Sequence, residues 1–264
     1  MFHLLSSELF RLRKRPQSWI LLAIAFLLTS LVYGGFVVGA RLTSGEDQAD
    51  LSEVLTFPQL EDFGLSIALG FFGSVMVIII AAGMMGNEYS WNTLRPLVAR
   101  ARSRSGLLTA KFLTLLIYTV LFTAALTALT AGLSLVGSAL AGVDAQYSTD
   151  ILGDAFLFAG KITYVNLPYL AFAFLLATVA RSNAAGIAGA LGLSFIEQPI
   201  LELLALASDV FETVQEFGLT YNLNAVVGFS DGDATRGAII LAVYTAIFVG
   251  LSYWVFLRRD VVSG

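Results

Sequence analysis

Residues 86–111 read GNEYSWNTLRPLVARARSRSGLLTAK and stand between two long apolar runs. The segment carries Arg95, Arg100, Arg102, Arg104 and Lys111, five of the chain's fifteen cations, against a single acid, Glu88. Tyr89, Leu94, Leu97 and Val98 fall near helical spacing, so one apolar side can form between Glu88 and Ala99. A stretch patterned in this way, flanked by apolar runs, belongs at one membrane surface.

The rest of the composition agrees. Of 264 residues, 57% are hydrophobic and 13% charged, with a mean hydropathy of +0.81, whereas a soluble domain carries about 25% charged residues. The fold class is an all-α integral membrane protein. With no cysteine, disulfides and thiolate metal sites are excluded. The net charge of −4 says little because the charges are sorted by position, and nucleic-acid binding is not implied. Val38-Gly39-Ala40 could pass for a signal-peptide cleavage site, but the run it closes is about 20 residues long, beyond the roughly 7–15 of such a signal. It reads as a retained span.

Crossing about 30 Å of hydrocarbon takes about 20 apolar residues in a helix. Six runs qualify: 19–40, 64–85, 112–140, 161–180, 184–206 and 237–257. The third is long enough to tilt or to project beyond the bilayer. Cations fix the orientation. Arg11, Arg13, Lys14, Arg15, the 86–111 cluster, Arg181, Arg258 and Arg259 fall on one side, and only Arg41, Lys161 and Arg236 on the other. Positive residues gather in short cytoplasmic loops, so both termini and the 86–111 segment are expected in the cytoplasm. Acids lie opposite: Glu46, Asp47, Asp50, Glu53, Glu61 and Asp62, then Asp144, Asp150 and Asp154, then Asp209, Glu212, Glu216, Asp231 and Asp233.

Ahead of the first span, Phe2, Leu5, Leu9 and Leu12 form an apolar stripe, with Ser6, Ser7, Arg11 and Lys14 on the other side. Residues 2–15 are therefore an amphipathic helix on the inner leaflet, ended by Pro16. Arg11, Arg13, Lys14 and Arg15 would anchor it, each cation adding about 1 kcal/mol of attraction to anionic lipid. Simple anchoring and a specific contact role are both open. Within the spans, Ser66, Gly70 and Ser74, and again Ala185 and Gly189, step by four, as helices do where their backbones approach closely. Thr119, Thr123 and Thr127 make a weakly polar stripe suited to packing or to a pathway wall.

The fifth span contains Glu197, Gln198, Pro199 and Glu202. Counting about 1.5 Å per residue from Ala184 places Glu197 in the outer part of the bilayer. An embedded carboxylate is a candidate for a pathway, and Pro199 should break or kink the helix. Alternatively the span ends near Glu197 and the acids are wet. Residues 207–217, where Val210, Phe211, Val214 and Phe217 alternate with polar positions, read as an outer amphipathic or re-entrant segment.

Catalytic and metal sites are not expected. Gly228-Phe229-Ser230-Asp231-Gly232 matches G-x-S-x-G, but that elbow needs a strand before it and a histidine within reach, and the one histidine is His3. Asp231 and Asp233 are too few for an EF-hand. Gly160-Lys161-Ile162 lacks the spacing and the Ser/Thr of a phosphate-binding loop. If nucleotide energy drives this protein, ATP and Mg are bound by another chain.

The run Gly86, Glu88, Tyr89, Thr93, Leu94, Arg95, Ser103, Arg104, Lys111 resembles the G-x-E-Y…T-L-R…S-R…K run of ABC-2-type transporter permease subunits. This is the branch with separate ATPase subunits, which includes antibiotic-peptide and sodium exporters. Glu8…Arg13-Lys14-Arg15-Pro16 and the closing Phe256…Arg259-Asp260 are also similar. A proline often found before the S-R pair is absent, and Ala101 stands nearby. The resemblance implies one transmembrane domain over 1–264 with six spans and an N-terminal interfacial helix. It also implies a cytoplasmic coupling helix within 86–104, between the second and third spans, and a pair of short re-entrant helices before the last. Two permease subunits, as a homodimer or heterodimer, would work with two ATPase subunits. Tyr89, Leu94 and Leu97 would anchor the ATPase, and Glu88 and Arg95 would pair with or orient it. Thr93 and Arg104 belong to the same coupling run. Arg104 and Lys111 could instead position the third span at the lipid headgroups. Two alternatives remain at this point: a proton- or cation-coupled carrier using Glu197, and a non-transporting membrane assembly subunit.

Overall fold

The computed structural model describes residues 2–42, 70, 72–101, 103–141, 149–206, 208–230 and 232–258. Among them are eleven helices: α1 (Phe2–Lys14), α2 (Pro16–Leu42), α3 (Ser74–Ser90), α4 (Leu94–Arg100), α5 (Arg104–Ala141), α6 (Thr149–Val165), α7 (Leu167–Ala180), α8 (Asn183–Ala205), α9 (Asp209–Gln215), α10 (Leu219–Val227) and α11 (Ala234–Arg258). No strand occurs among the described residues. Five stretches are long and apolar enough to cross a membrane: Pro16–Gly39, Arg104–Leu140, Gly153–Ala180, Asn183–Ala205 and Ala234–Arg258. Ser74–Ser90 is apolar but shorter. Most of the acidic segments expected outside, at 43–62 and 144, lie beyond the described residues, as do Ser66, Arg102, Asp231, Arg259 and Asp260.

Several boundaries differ from the hydropathy reading. α3 runs through Ser90, five residues past the expected end of the second span. It closes on Asn92, a non-glycine at φ 54°. Asn92 N–H donates to Tyr89 O (3.1 Å) and Thr93 N–H to Glu88 O (3.0 Å), the paired bonds that finish a helix through a left-handed residue. α5 begins at Arg104, eight residues before the expected 112. Its 38 residues make a helix of about 57 Å, far longer than the hydrocarbon is thick. The apolar stretch Gly153–Ala180 is two helices joined at Asn166, where Pro168 fits the first turn of α7 because its missing N–H would have no partner there. Pro199 does not end α8, which continues to Ala205; transmembrane helices tolerate such a proline.

The chain divides into two compact units. The first comprises Met1–Lys14, Val77–Ile117 and Tyr164–Gly264. Its centre is α7, where Tyr169, Leu170, Ala171, Ala173, Phe174 and Ala177 are all buried. α7 packs against α8 and α11, and α10 packs against α11. Gly186 permits the α7–α8 approach: a Cβ there would lie 2.8 Å from Ala173 O and 2.8 Å from Ala82 Cβ. The small-residue seam of α8 is thus centred on buried Gly186 and Ala190, one position from the expected Ala185 and Gly189. Gly86 is tighter still, since a Cβ would collide with the backbone of Asn183. Phe112 packs against Phe174 with ring centroids 4.4 Å apart and the rings tilted by 43°.

The second unit comprises Arg15–Met76 and Tyr118–Thr163. Thr119, Thr123 and Thr127 are buried in it, together with Thr130, Ser134 and Ser138. The hydroxyls of Thr123, Thr127, Thr130 and Ser138 turn back on their own helix, Thr123 to Thr119 O (2.8 Å) and Thr127 to Thr123 O (2.9 Å). The stripe is a satisfied packing surface. Arg41 donates from Nε (3.1 Å) and Nη2 (2.5 Å) to Leu140 O, which supplies an acceptor at the end of α5.

Candidate functional site

Three helices of the first unit bring buried charges together. α1 turns Glu8 and Leu12, one helical turn apart, into the protein, where they are 1% and 5% exposed. The extension of α3 past residue 85 carries Glu88 to the same place, and the early start of α5 sets Lys111 two turns inside the helix. Lys111 is 0% exposed and Glu88 1%. Lys111 Nζ donates to Glu8 Oε2 (3.1 Å) and to Glu88 Oε1 (3.2 Å).

The remaining carboxylate oxygens are also engaged. Arg11 Nη1 donates to Glu8 Oε1 (3.1 Å), and Thr93 Oγ1 donates to Glu88 Oε2 (2.6 Å). Two carboxylates, one ammonium and one guanidinium sum to zero charge. Moving an ion out of water costs several kcal/mol, offset only where geometry and further hydrogen bonds are good. Here every carboxylate oxygen has a donor, so the cluster can persist in the interior.

Thr93 connects this cluster to α4. It stands at the N-cap of α4 without a capping side-chain bond, because its hydroxyl is committed to Glu88 instead. Leu94 then turns inward, 2% exposed, while Leu97 and Val98 are half-buried. Arg95, Pro96, Ala99 and Arg100 face outward, beside Trp91 at 59% exposure. The short helix therefore has a seated side and an open, cationic side.

This placement revises several expectations. Lys111, expected at lipid headgroups, is fully buried and ion-paired. Glu88 and Leu94, expected to meet a partner, are inside the protein. Tyr89 and Leu97 are half-buried, Arg95 is exposed and Arg104 is half-buried at the start of α5. Of the expected anchors, Arg13 and Lys14 are exposed, Arg11 is bound to Glu8, and Arg15 is half-buried. Glu8 and Trp91 were not among the expected site residues. Glu8 could have been found as the one acid on an otherwise basic helix, four residues before an apolar position.

Glu197 occupies a second constellation in the same unit. Its Oε1 accepts from Leu219 N–H (2.7 Å), and its Oε2 accepts from Thr220 N–H (3.0 Å) and Oγ1 (2.9 Å). These are unpaired donors of the first turn of α10, where a carboxylate is favoured. Thr220 Oγ1 lies 3.0 Å from Tyr169 Oη; since the threonine proton goes to Glu197, the tyrosine donates to it. Gln198 Nε2 donates to Glu202 Oε1 (2.7 Å) on the exposed side of α8, and Pro199 is exposed. Behind α10, Asn222 Nδ2 donates to Gly218 O (2.6 Å) and Glu216 O (2.9 Å). A pair of short helices thus precedes the last span, at Asp209–Gln215 and Leu219–Val227. The second of them lies past the expected segment 207–217. Of the G-x-S-x-G run, Gly228, Phe229, Ser230 and Gly232 lie between α10 and α11, with Gly228 at φ 98° ending α10.

Comparison with known proteins bears on both constellations. The chain is 24% identical over 205 residues to a Bacillus subtilis (strain 168) protein, "Uncharacterized protein YhcI". That similarity covers 72% of this chain and 64% of the relative, so the chain spans a little under two thirds of the relative's length. A family model described as "ABC-2 family transporter protein" matches residues 4–197. The match takes in Glu8, Glu88, Thr93 and Lys111 and ends at Glu197, and the chain belongs to the ABC-2 family transporter proteins.

Proposed function

We propose that the chain is the permease subunit of an ATP-driven ABC transporter in the cell membrane, with both termini cytoplasmic. Its energy comes from two ATPase subunits that hold ATP and Mg, and a second permease, identical or different, completes the pathway. The transported species is a small amphiphile, a peptide antibiotic, a lipid or a cation, moved outward. The observation that supports this reading is α4. Its outer residues Trp91, Arg95, Pro96 and Arg100 are solvent-exposed, while Thr93 ties its start through Glu88 and Lys111 to Glu8 on α1. A partner pressing on that face moves α1, α3 and α5 together, because separating them would leave buried ions unpaired. Exposed aromatic and arginine side chains are also the types that anchor interfaces. On this reading Leu94 seats the helix and Trp91 contacts the partner.

The test is purification of the tagged protein from gently solubilised native membranes, with and without Arg95→Glu and Trp91→Asp. Recovery of a phosphate-loop ATPase in stoichiometric amount, lost in both variants while membrane insertion is kept, supports the reading. An ATPase retained at full stoichiometry in both variants, or absent from the parent, overturns it. The carrier alternative would use Glu197 as an exchangeable proton or cation site; the start of α10 holds three of the lone pairs of that carboxylate, so titration or exchange there would uncap α10.

A further inference from the structure

Beside Glu197, α8, α9 and α10 enclose a cavity of about 100 Å³. Pockets for drug-sized ligands run to about 300–1,000 Å³, so this one accommodates the end of a molecule. Leu201 is the one apolar side chain among its lining residues; the others include Gln198, Gln215, Tyr221 and Asn224, and none is a cation. Arg236, a cation on the neighbouring α11, is held elsewhere, 2.8 Å from Glu216 and over the ring of Phe217.

The hydrogen-bond inventory selects the ligand. A carboxylate offers about four lone-pair sites, and the start of α10 fills three of those on Glu197. One site on Oε1 remains. Among the described residues, the side chains of Gln215, Tyr221 and Asn224 receive no hydrogen bond from the protein, and two of them present carboxamide oxygens. A carboxamide or a hydroxyl can turn either a donor or an acceptor inward, so among the described lining residues the one fixed preference is the negative charge of Glu197. An anion is disfavoured by that charge. A divalent metal would want several anionic ligands, and no group of three or more acidic or histidine side chains is placed to hold a metal among the described residues.

The geometry points to a binding site for a primary ammonium group, carried by an amphiphile. Its three N–H donors would be met by the open site on Glu197 Oε1 and by the carboxamides of Gln215 and Asn224 turned oxygen-inward, all three residues lining the cavity. The apolar remainder would leave the cavity past Leu201, the apolar residue of its lining. A quaternary ammonium has no N–H to give and is excluded by the same inventory. The inference stands apart from the transport proposal, since binding is measured without ATP.

The experiment uses the full-length protein in phosphatidylcholine nanodiscs, with its ATPase if one co-purifies, and dansylcadaverine as the fluorescent primary-amine probe. Saturable binding is expected, displaced by hexylamine but not by hexyltrimethylammonium. Asn224→Leu and Gln215→Leu should each weaken it about tenfold without lowering the melting temperature. Asn224→Asp adds a carboxylate and should tighten it at least threefold, a gain that misfolding cannot produce. Phosphatidylethanolamine in the disc decides the source of the amine. Displacement of the probe by it assigns the site to a lipid headgroup, and no displacement assigns it to a soluble amphiphile; either outcome supports an ammonium site. Unsaturable binding, equal displacement by the quaternary amine or by sodium ion at the same concentration, or unchanged affinity across all three variants would overturn it.

Discussion

Replacing Lys111 by Met tests the buried cluster most directly. The methionine fills nearly the same volume, so the change removes the ammonium and little else. Glu8 and Glu88 would each lose a donor, at 3.1 and 3.2 Å, in a place where both are 1% exposed. Breaking a buried ion pair by removing one partner costs about 3–5 kcal/mol. Two pairs are broken here, but the losses do not double, because Arg11 stays with Glu8 and Thr93 with Glu88. A cost of about 3–5 kcal/mol corresponds to a drop of about 10²–10⁴ in the folded-to-unfolded ratio. The sharper measurement is a double-mutant cycle. Glu88→Gln in the Lys111→Met background removes the carboxylate that lost the Lys111 ammonium, while Glu8 keeps Arg11. The double variant should therefore be more stable than Lys111→Met alone, with a coupling energy above about 1.5 kcal/mol. Thermal unfolding of the detergent-solubilised protein, followed by fluorescence and size exclusion, reads all four corners. Additive losses, or a Lys111→Met protein within about 0.5 kcal/mol of the parent, would refute the view that these three ions stabilise one another.

Other substitutions probe the neighbouring contacts. Gly86→Ala places a Cβ against the backbone of Asn183 and should destabilise by about 1–3 kcal/mol or more, whereas Gly189→Ala meets only the flexible tip of Leu176 and should be tolerated; paired melting curves decide. Glu197→Gln weakens the cap of α10 and should cost about 0.5–2 kcal/mol, seen as faster amide hydrogen exchange at Leu219 and Thr220 with little change at α7. Thr93→Val should lower partner-stimulated ATP hydrolysis more than it lowers the melting temperature, and Thr93→Ser should restore it; equal effects of both would break the proposed link between α4 and Glu88.

Hydropathy located the apolar spans because the thickness of hydrocarbon dictates their length: the first, third and last lie within long helices here, and the fifth does so up to its final residue. It failed at their polar ends for a single reason. A sliding apolar window stops at the first charge, so Glu88 and Lys111 were read as outside the spans. Both helices in fact continue, since the two charges meet each other and Glu8 rather than water. α10 was missed for a related reason: LTYNLNAVV is short and carries two asparagines, which suggest a loop. Nothing local shows that Asn222 reaches back to two carbonyls, or that Glu197, more than twenty residues upstream, supplies the cap. Pairings between distant residues are invisible to periodicity. The run Gly86…Lys111 announced that its residues belong together, but it could not say which of them face inward.

The buried cluster also bears on the proposed orientation. Counting cations by side had placed Arg11 and Lys111 among the charges at the inner surface, and both are now committed to carboxylates. Their acids, Glu8 and Glu88, leave the same side with them, so the charge difference across the membrane is unchanged. What changes is where the inner charge is displayed. With Lys111 and Glu88 withdrawn, the exposed residues of α4 are led by Arg95 and Arg100, and no acid remains between residues 89 and 101. A partner that seats on α4 must then present acidic or aromatic groups, because an arginine there meets either a carboxylate or the face of a ring. Complementary charge at such a rim sets association rate and salt dependence more than final affinity. Raising the salt concentration should slow assembly with the ATPase while the buried ions, shielded from salt, keep the permease itself intact.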